Sequence, residues 1–137
     1  MYQKISVPVD LRHKDQLEKA VRTAADLARH YEAEMTLYAV TGNEASSVAS
    51  GPEDFANKLA QYADQQAQAC GVAIHSKALV SHDLSIDLDK LLDKAFHESG
   101  TDLVVMASHV PGFRDYVFGS NAGYLATHSN LSVMIVR

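Results

Sequence analysis

Short apolar runs that are typical of buried β-strands alternate with helical patterns along the whole of this 137-residue chain. Each run is rich in aliphatic and β-branched side chains, as expected for a strand that is buried on both faces. The runs are residues 4–9, 35–40, 72–80, 102–107 and 131–136. Because strands that alternate with helices form a parallel sheet with helices on both faces, we predict an α/β fold.

The segments between these runs carry the apolar spacing of amphipathic helices. The first stripe has intervals of four and three residues and comprises Leu17, Val21, Ala24, Ala28 and Tyr31. For the second helix, Ser50 and Glu53 are predicted to form a capping box, and Gly71 is predicted to end the helix. Gly100 is predicted to end the third helix, and a short last helix is predicted over residues 119–128.

The composition excludes several classes of protein. The formal net charge of −5 leaves no basic field for a nucleic-acid backbone or an anionic membrane. The longest apolar runs, such as residues 103–107, are far too short to span a bilayer, and the amino terminus has no signal-peptide pattern. Cys70 is the single cysteine, so an internal disulfide is excluded and a packing role is favoured. We expect one cytoplasmic domain over residues 1–137, with no nucleic-acid partner and no membrane insertion.

Three groups of residues stand at predicted strand ends, where an open parallel sheet binds its ligands. The first group is Pro8, Val9 and Asp10, at the end of the first strand. An aspartate at this position can accept hydrogen bonds from a ribose or a base, or it can cap the next helix and fix the turn. Both interpretations of Asp10 stay open, and the local sequence taken alone favours the cap.

The second group lies at and beyond the end of the fourth strand and comprises Met106, Ala107, Ser108 and His109. It leads into a loop over residues 110–118 that is suited to wrapping a ligand. His109 can donate to a phosphate or pair with Asp10, and a loop histidine exposed to water is an equal alternative. Arg114 can bind a triphosphate bidentately, although a lone arginine in a loop is more often solvated.

The third group, Gly119, Ser120 and Asn121, opens the predicted last helix. The first amides of a helix lack internal partners, so together with the helix dipole they favour a phosphate. The Ser120 hydroxyl adds a donor, and Gly119 lets the backbone approach closely. A plain serine cap preceded by a flexible glycine fits the local sequence at least as well.

Three stretches, in this order, resemble the universal stress protein family, and the similarity covers essentially the whole chain. Residues 5–10 (ISVPVD) look like the first strand of that family, residues 103–108 (LVVMAS) like its fourth, and residues 119–137 like its final helix and strand. The pattern Ala-Ser-His-x-Pro followed by Gly-Ser-Asn-Ala is similar to one subgroup of the family. The resemblance implies a Rossmann-like three-layer domain with five parallel strands in the order 3-2-1-4-5 and a site between the first and fourth strands.

The resemblance also implies a phosphate site. Family members that bind ATP carry the motif G-x2-G-x9-G-[ST], and Gly119 and Ser120 match its end. Ala107 and Val110 occupy its first two glycine positions, and the spacing to Gly119 is one residue short. Val110 is the more serious departure, because a β-branched residue resists positive φ and its side chain can block a phosphate.

Three further positions carry over from the family. Asp10 matches the family aspartate, and Val40 matches the residue whose backbone meets the adenine edge. Arg12 stands where many members have a serine. The resemblance thus implies that the base and ribose lie beside the first and second strands.

Three functions are compatible with these observations. The leading hypothesis is a regulatory stress protein that binds ATP, or else ADP or AMP, with or without Mg²⁺, and then recruits a protein partner. The second is a nucleotide-free interaction module of the same fold, which Ala107 and Val110 favour. The third is a slow ATPase or autokinase with Ser120 as phosphoryl acceptor. The third ranks lowest, because the sequence has no nucleophile–base pair at motif spacing, no Walker loop and no lysine near the phosphate site. The seven histidines lack the spacing of a metal site, so no metal ligands are predicted.

The last strand, which begins at Leu131 and ends at Val136, is predicted to form a homodimer interface. An apolar strand at the edge of a sheet is a pairing hazard unless something covers it. Pairing with a second copy across a two-fold axis would cover it, and the family resemblance implies the same dimer. The alternative is an edge that sheet twist and Arg137 protect.

Overall fold

The computed structural model describes residues 1–82, 84–107, 123, 125–127 and 130–137. Strands and helices alternate in it as the sequence predicts. In chain order they are β1 (Lys4–Pro8), a 3₁₀ helix (Leu11–Gln16), α1 (Glu18–Tyr31), β2 (Glu34–Thr41), α2 (Pro52–Cys70), β3 (Ile74–Val80), α3 (Leu84–Ser99), β4 (Leu103–Ala107) and β5 (Ser132–Val136). Residues 123 and 125–127 are helical, within the segment predicted as the last helix, and the rest of that segment lies outside the described residues.

The strands form one five-stranded parallel sheet in the order β3-β2-β1-β4-β5. This confirms the parallel sheet predicted from the alternation and the strand order implied by the family resemblance. β1 lies at the centre, with β2 and then β3 on one side and β4 and then β5 on the other. The strand order therefore reverses between β1 and β4, which is where doubly wound sheets bind ligands.

Helices cover both faces of the sheet, which gives the three predicted layers. On one face, α1 and α2 bury small and large side chains against the strands, among them Ala24, Phe55 and Leu59. On the other face, Phe96 of α3 packs edge-on against Tyr38 of β2, with ring centroids 5.1 Å apart. Burial of a large apolar side chain contributes about 1.5–3 kcal/mol, so the two cores hold the strand ends in place.

The helix ends agree with the sequence at their carboxyl termini and differ at one amino terminus. Gly71 and Gly100 follow α2 and α3 with φ of 71° and 74°, the left-handed region that glycine adopts without strain. The predicted capping box of Ser50 and Glu53 is wrong. The N-cap is Gly51, so the third helical position is Asp54, whose Oδ2 accepts the backbone N–H of Ser50 at 2.9 Å.

Two further expectations concern Cys70 and the membrane. Cys70 ends α2 and is partly buried against the core formed by α1, α2 and the sheet, in agreement with a packing role. Its backbone carbonyl accepts a hydrogen bond from the Arg29 guanidinium of α1, which joins the two helices at this end. Among the described residues, none of the helices combines the length and the apolar character needed to cross a membrane.

Candidate functional site

The described ladder between β1 and β4 ends before the carboxyl ends of the two strands. The register between these two strands extends to Ser6–Val104, whereas β1 stays in register with β2 as far as Pro8–Tyr38. The backbone N–H of Val9 continues the second ladder by donating to the Tyr38 carbonyl at 2.8 Å. β1 thus stays hydrogen-bonded to β2 beyond the last pair of its described ladder with β4. The strand order reverses between β1 and β4.

The side chains at the predicted strand ends are buried or half-buried. Pro8 is buried at the end of β1, and Val9 and Ala107 are each 5% exposed in the core on the α1 and α2 side. Met106 is fully buried in the core on the α3 side, and Val40 is half-buried against that same core. The methyl group that Ala107 places at a family glycine position is therefore accommodated within the protein core.

Asp10 supplies a carboxylate at the carboxyl end of β1. Its backbone is extended, and its side chain caps the 3₁₀ helix by accepting the Arg12 backbone N–H at 3.0 Å. This confirms that Asp10 fixes the turn after β1. Its interaction with a ribose or a base stays a prediction.

Arg12 binds Asp10 through its side chain as well. Nε lies 3.1 Å from Oδ1 and Nη2 lies 3.0 Å from Oδ2, so the guanidinium contacts both carboxylate oxygens. The Asp10 side chain is 10% exposed and that of Arg12 is 50% exposed. The sequence marks Arg12 only as a departure from the family, and the Asp-x-Arg spacing is the one local signal for this contact.

A second polar contact at the same edge of the sheet was not predicted. Asn43 follows β2 and His82 follows β3, and their Nδ2 and Nδ1 atoms lie 2.8 Å apart. The backbone N–H of Ser81 donates to the Thr41 carbonyl at 2.9 Å beside them. The two residues are 39 positions apart, so no local pattern could have paired them.

The remaining predicted site residues lie outside the described residues. They are Ser108, His109, Val110, Arg114, Gly119, Ser120 and Asn121. The predicted phosphate site and the pairing of His109 with Asp10 therefore stay predictions. In the ranges that the structure describes, no group of three or more His, Cys, Asp or Glu side chains is arranged to hold a metal ion.

The fold is that of a doubly wound α/β domain, a class in which ligands bind at the switch point of the parallel sheet. Comparison with known proteins identifies the family within this class. The model of the universal stress protein family matches residues 1–137, and the chain belongs to this family.

Individual relatives agree with this assignment over the full length of the chain. Universal stress protein G of Shigella flexneri is 28% identical, with 100% of both chains covered. A universal stress protein solved in complex with cAMP has a TM-score of 0.73 at 19% identity and covers 99% of this chain and 97% of its own. The universal stress protein of Archaeoglobus fulgidus, solved in complex with dAMP, has a TM-score of 0.69 at 21% identity, with 99% and 98% covered. At these identities the two solved structures establish a shared fold.

Proposed function

We propose that this chain binds an adenine nucleotide, with ATP as the expected ligand, between the carboxyl ends of β1 and β4 and acts as a stress-response regulatory protein. The observation that carries the proposal is the end of the described β1–β4 ladder at the switch point of the sheet, with the carboxylate of Asp10 following β1 on that side. Membership of the family supports an adenine nucleotide, and so do structural neighbours solved with cAMP and dAMP.

In this arrangement the base meets the backbone of Val40, and the ribose or base donates to Asp10. The phosphates, with Mg²⁺ as their counter-ion, lie at Gly119 and Ser120. The half-buried position of Val40 near the end of β2 supports this orientation, because its backbone stands at the same edge of the sheet as Asp10. We expect the bound nucleotide to alter recruitment of a protein partner and to be recovered unhydrolysed.

Calorimetric titration with ATP and Mg²⁺ tests the proposal. We expect saturable binding, and ATP at about 100 times Kd should stabilise the fold by about 2.7 kcal/mol, which raises Tm by roughly 10 °C. Asp10→Ala should weaken binding about tenfold, because the ligand loses a buried acceptor. Asp26→Ala, which alters an exposed ion pair on α1, is the matched control and should leave Kd unchanged. The absence of binding heat and of a Tm increase at millimolar ATP would contradict the proposal.

A nucleotide-free interaction module is the second candidate, and one observation favours it. Arg12 already satisfies the Asp10 carboxylate through three hydrogen bonds without any ligand. This candidate predicts that freshly purified protein releases no nucleotide on denaturation and that ATP leaves Tm unchanged. Mass spectrometry of the released small molecules separates the two candidates.

We also propose that β5 forms the interface of a homodimer. β5 lies at the edge of the sheet, and the side chains of Met134 and Ile135 are 41% and 49% exposed. Exposed apolar side chains on an edge strand favour association with another strand. A second copy of the chain, paired across a two-fold axis, would bury both of them.

A further inference from the structure

The pair formed by Asp10 and Arg12 lies at the proposed nucleotide site and has a geometry that the family resemblance does not imply. The guanidinium spans the carboxylate, with Nε 3.1 Å from Oδ1 and Nη2 3.0 Å from Oδ2. The Arg12 backbone N–H also donates to Oδ1, at 3.0 Å. Two residues separated by a single position thus form a closed, bidentate ion pair.

This ion pair uses most of the hydrogen-bonding capacity of Asp10. A carboxylate offers about four acceptor positions, and Arg12 fills three of them. A ligand that places two donors on Asp10 must displace the guanidinium from at least one oxygen. The Asp10 side chain is 10% exposed and that of Arg12 is 50% exposed, so Arg12 is the more solvent-accessible partner of the pair.

The displaced guanidinium keeps its positive charge, because arginine stays protonated at any physiological pH. An uncharged nucleoside brings no anion that could replace the Asp10 carboxylate. A phosphorylated nucleoside brings an anion that the planar guanidinium binds bidentately. The free-energy cost of displacing Arg12 from Asp10 therefore weakens the binding of nucleosides. For nucleotides, the contact between the guanidinium and the phosphate offsets this cost.

We infer that Arg12 makes this site selective for phosphorylated adenine nucleosides, by exchanging the Asp10 carboxylate for a ligand phosphate when the nucleotide binds. The inference rests on the proposed function and specifies the charge of the ligand for that same site. Arg12 determines specificity in this account and takes no part in a chemical step. A serine at this position could neither bind the Asp10 carboxylate bidentately nor bind the ligand phosphate through a charged group.

Calorimetric titration with AMP and with adenosine tests the inference, because the two ligands differ by one phosphate. The wild-type protein should bind AMP about tenfold more tightly than adenosine, and Arg12→Ser should reduce this ratio to about threefold or less. The ratio should fall because AMP affinity is lost while adenosine affinity is kept or gained. Arg12→Lys keeps the charge without the planar fork and should give an intermediate ratio. Arg22→Ser removes the same charge from an exposed pair with Glu18 and should leave the ratio unchanged.

Several outcomes overturn the inference. An unchanged ratio in Arg12→Ser contradicts it, and so does an equal loss of both affinities, which would mean that Arg12 only orients Asp10. A ratio of AMP affinity to adenosine affinity near one in the wild-type protein also contradicts it. This outcome needs no variant, so it does not depend on whether Arg12→Ser folds. Failure of the wild-type protein to bind AMP and ATP removes the proposed function and the inference together. Binding of AMP with an unaltered ratio removes the inference alone.

Discussion

The fold opposes ionisation of Tyr62. It lies on α2 with 5% of its surface exposed, and Lys14 of the 3₁₀ helix lies over its ring, with Nζ 5.8 Å from the centroid. Burial, followed by the nearby Cys70 and Glu18, raises the pKa of Tyr62 to about 12. Because the folded pKa is higher than the unfolded one, the stability from this group is complete below the unfolded value. It is lost as pH rises from about 10 to about 12.

Unfolding by denaturant at increasing pH tests this assignment against Tyr62→Phe, which cannot ionise. The stability of the wild-type protein relative to the variant should stay constant below about pH 10 and fall by on the order of 2 kcal/mol over the next two pH units. Parallel stability curves for the two proteins across this range would contradict the assignment. The comparison cancels the titration of every other group that the two proteins share.

At the scale of the element, the start of α2 depends on one carboxylate. Asp54 accepts the Ser50 backbone N–H at 2.9 Å and lies 3.4 Å from Nζ of Lys58. The hydrogen bond from Ser50 is the main cause that lowers the pKa of Asp54. Since the folded pKa lies below the unfolded one, the contribution to stability is present above the unfolded value and is lost as pH falls through the folded value.

Asp54→Asn should therefore lower Tm near pH 7, and its difference from the wild-type protein should shrink as the pH falls below 3.8, the ordinary aspartate pKa. Glu53→Gln is the matched control, because it removes the neighbouring charge without removing the contact to Ser50. Thermal unfolding across this pH range measures both variants. A larger effect for Glu53→Gln, or an Asp54→Asn effect that does not change with pH, would contradict this description of the helix start.

The elements could be predicted because their signals are local. Aliphatic runs identified all the strands to within a few residues, and the glycines after α2 and α3 identified where those helices end, since each depends on a few neighbouring side chains. The sequence predicts the start of α2 one position early, because both Ser50 and Gly51 are suitable N-cap residues. Which of them caps the helix depends on the backbone conformation of the preceding loop. The 3₁₀ helix before α1 lacks a repeating apolar stripe and gave no signal.

The site was harder to predict because its contacts depend on the turn geometry and on the sheet order. Asp10 was identified from its place after a strand, but its contact with Arg12 depends on the side-chain conformations that this turn allows. The contact between Asn43 and His82 exists because β2 and β3 are neighbours, a fact that no segment of the sequence contains alone. Local sequence therefore identified candidate residues at the strand ends and left their hydrogen bonding undetermined.

At the scale of the whole molecule, the two edges of the sheet provide a test of the homodimer. Light scattering after size exclusion should give the mass of a dimer for the wild-type protein. Ile135→Lys on β5 should shift it to a monomer, because a charge on the exposed apolar strand opposes pairing. Val80 is 44% exposed on β3 at the opposite edge, so Val80→Lys is the matched control and should stay dimeric. A wild-type monomer, or dissociation caused by Val80→Lys instead, would contradict the β5 interface.

The proposed nucleotide site lies at the carboxyl edge of the sheet, between β1 and β4. Amide chemical-shift mapping of the labelled protein during titration with ATP and Mg²⁺ tests this placement. The largest shifts should occur at Val9, Asp10, Val40 and Ala107, with little change at Asp102, whose carboxylate accepts backbone N–H groups at the amino edge of the sheet. Largest shifts at the amino edge, or no shifts at saturating ATP, would contradict it.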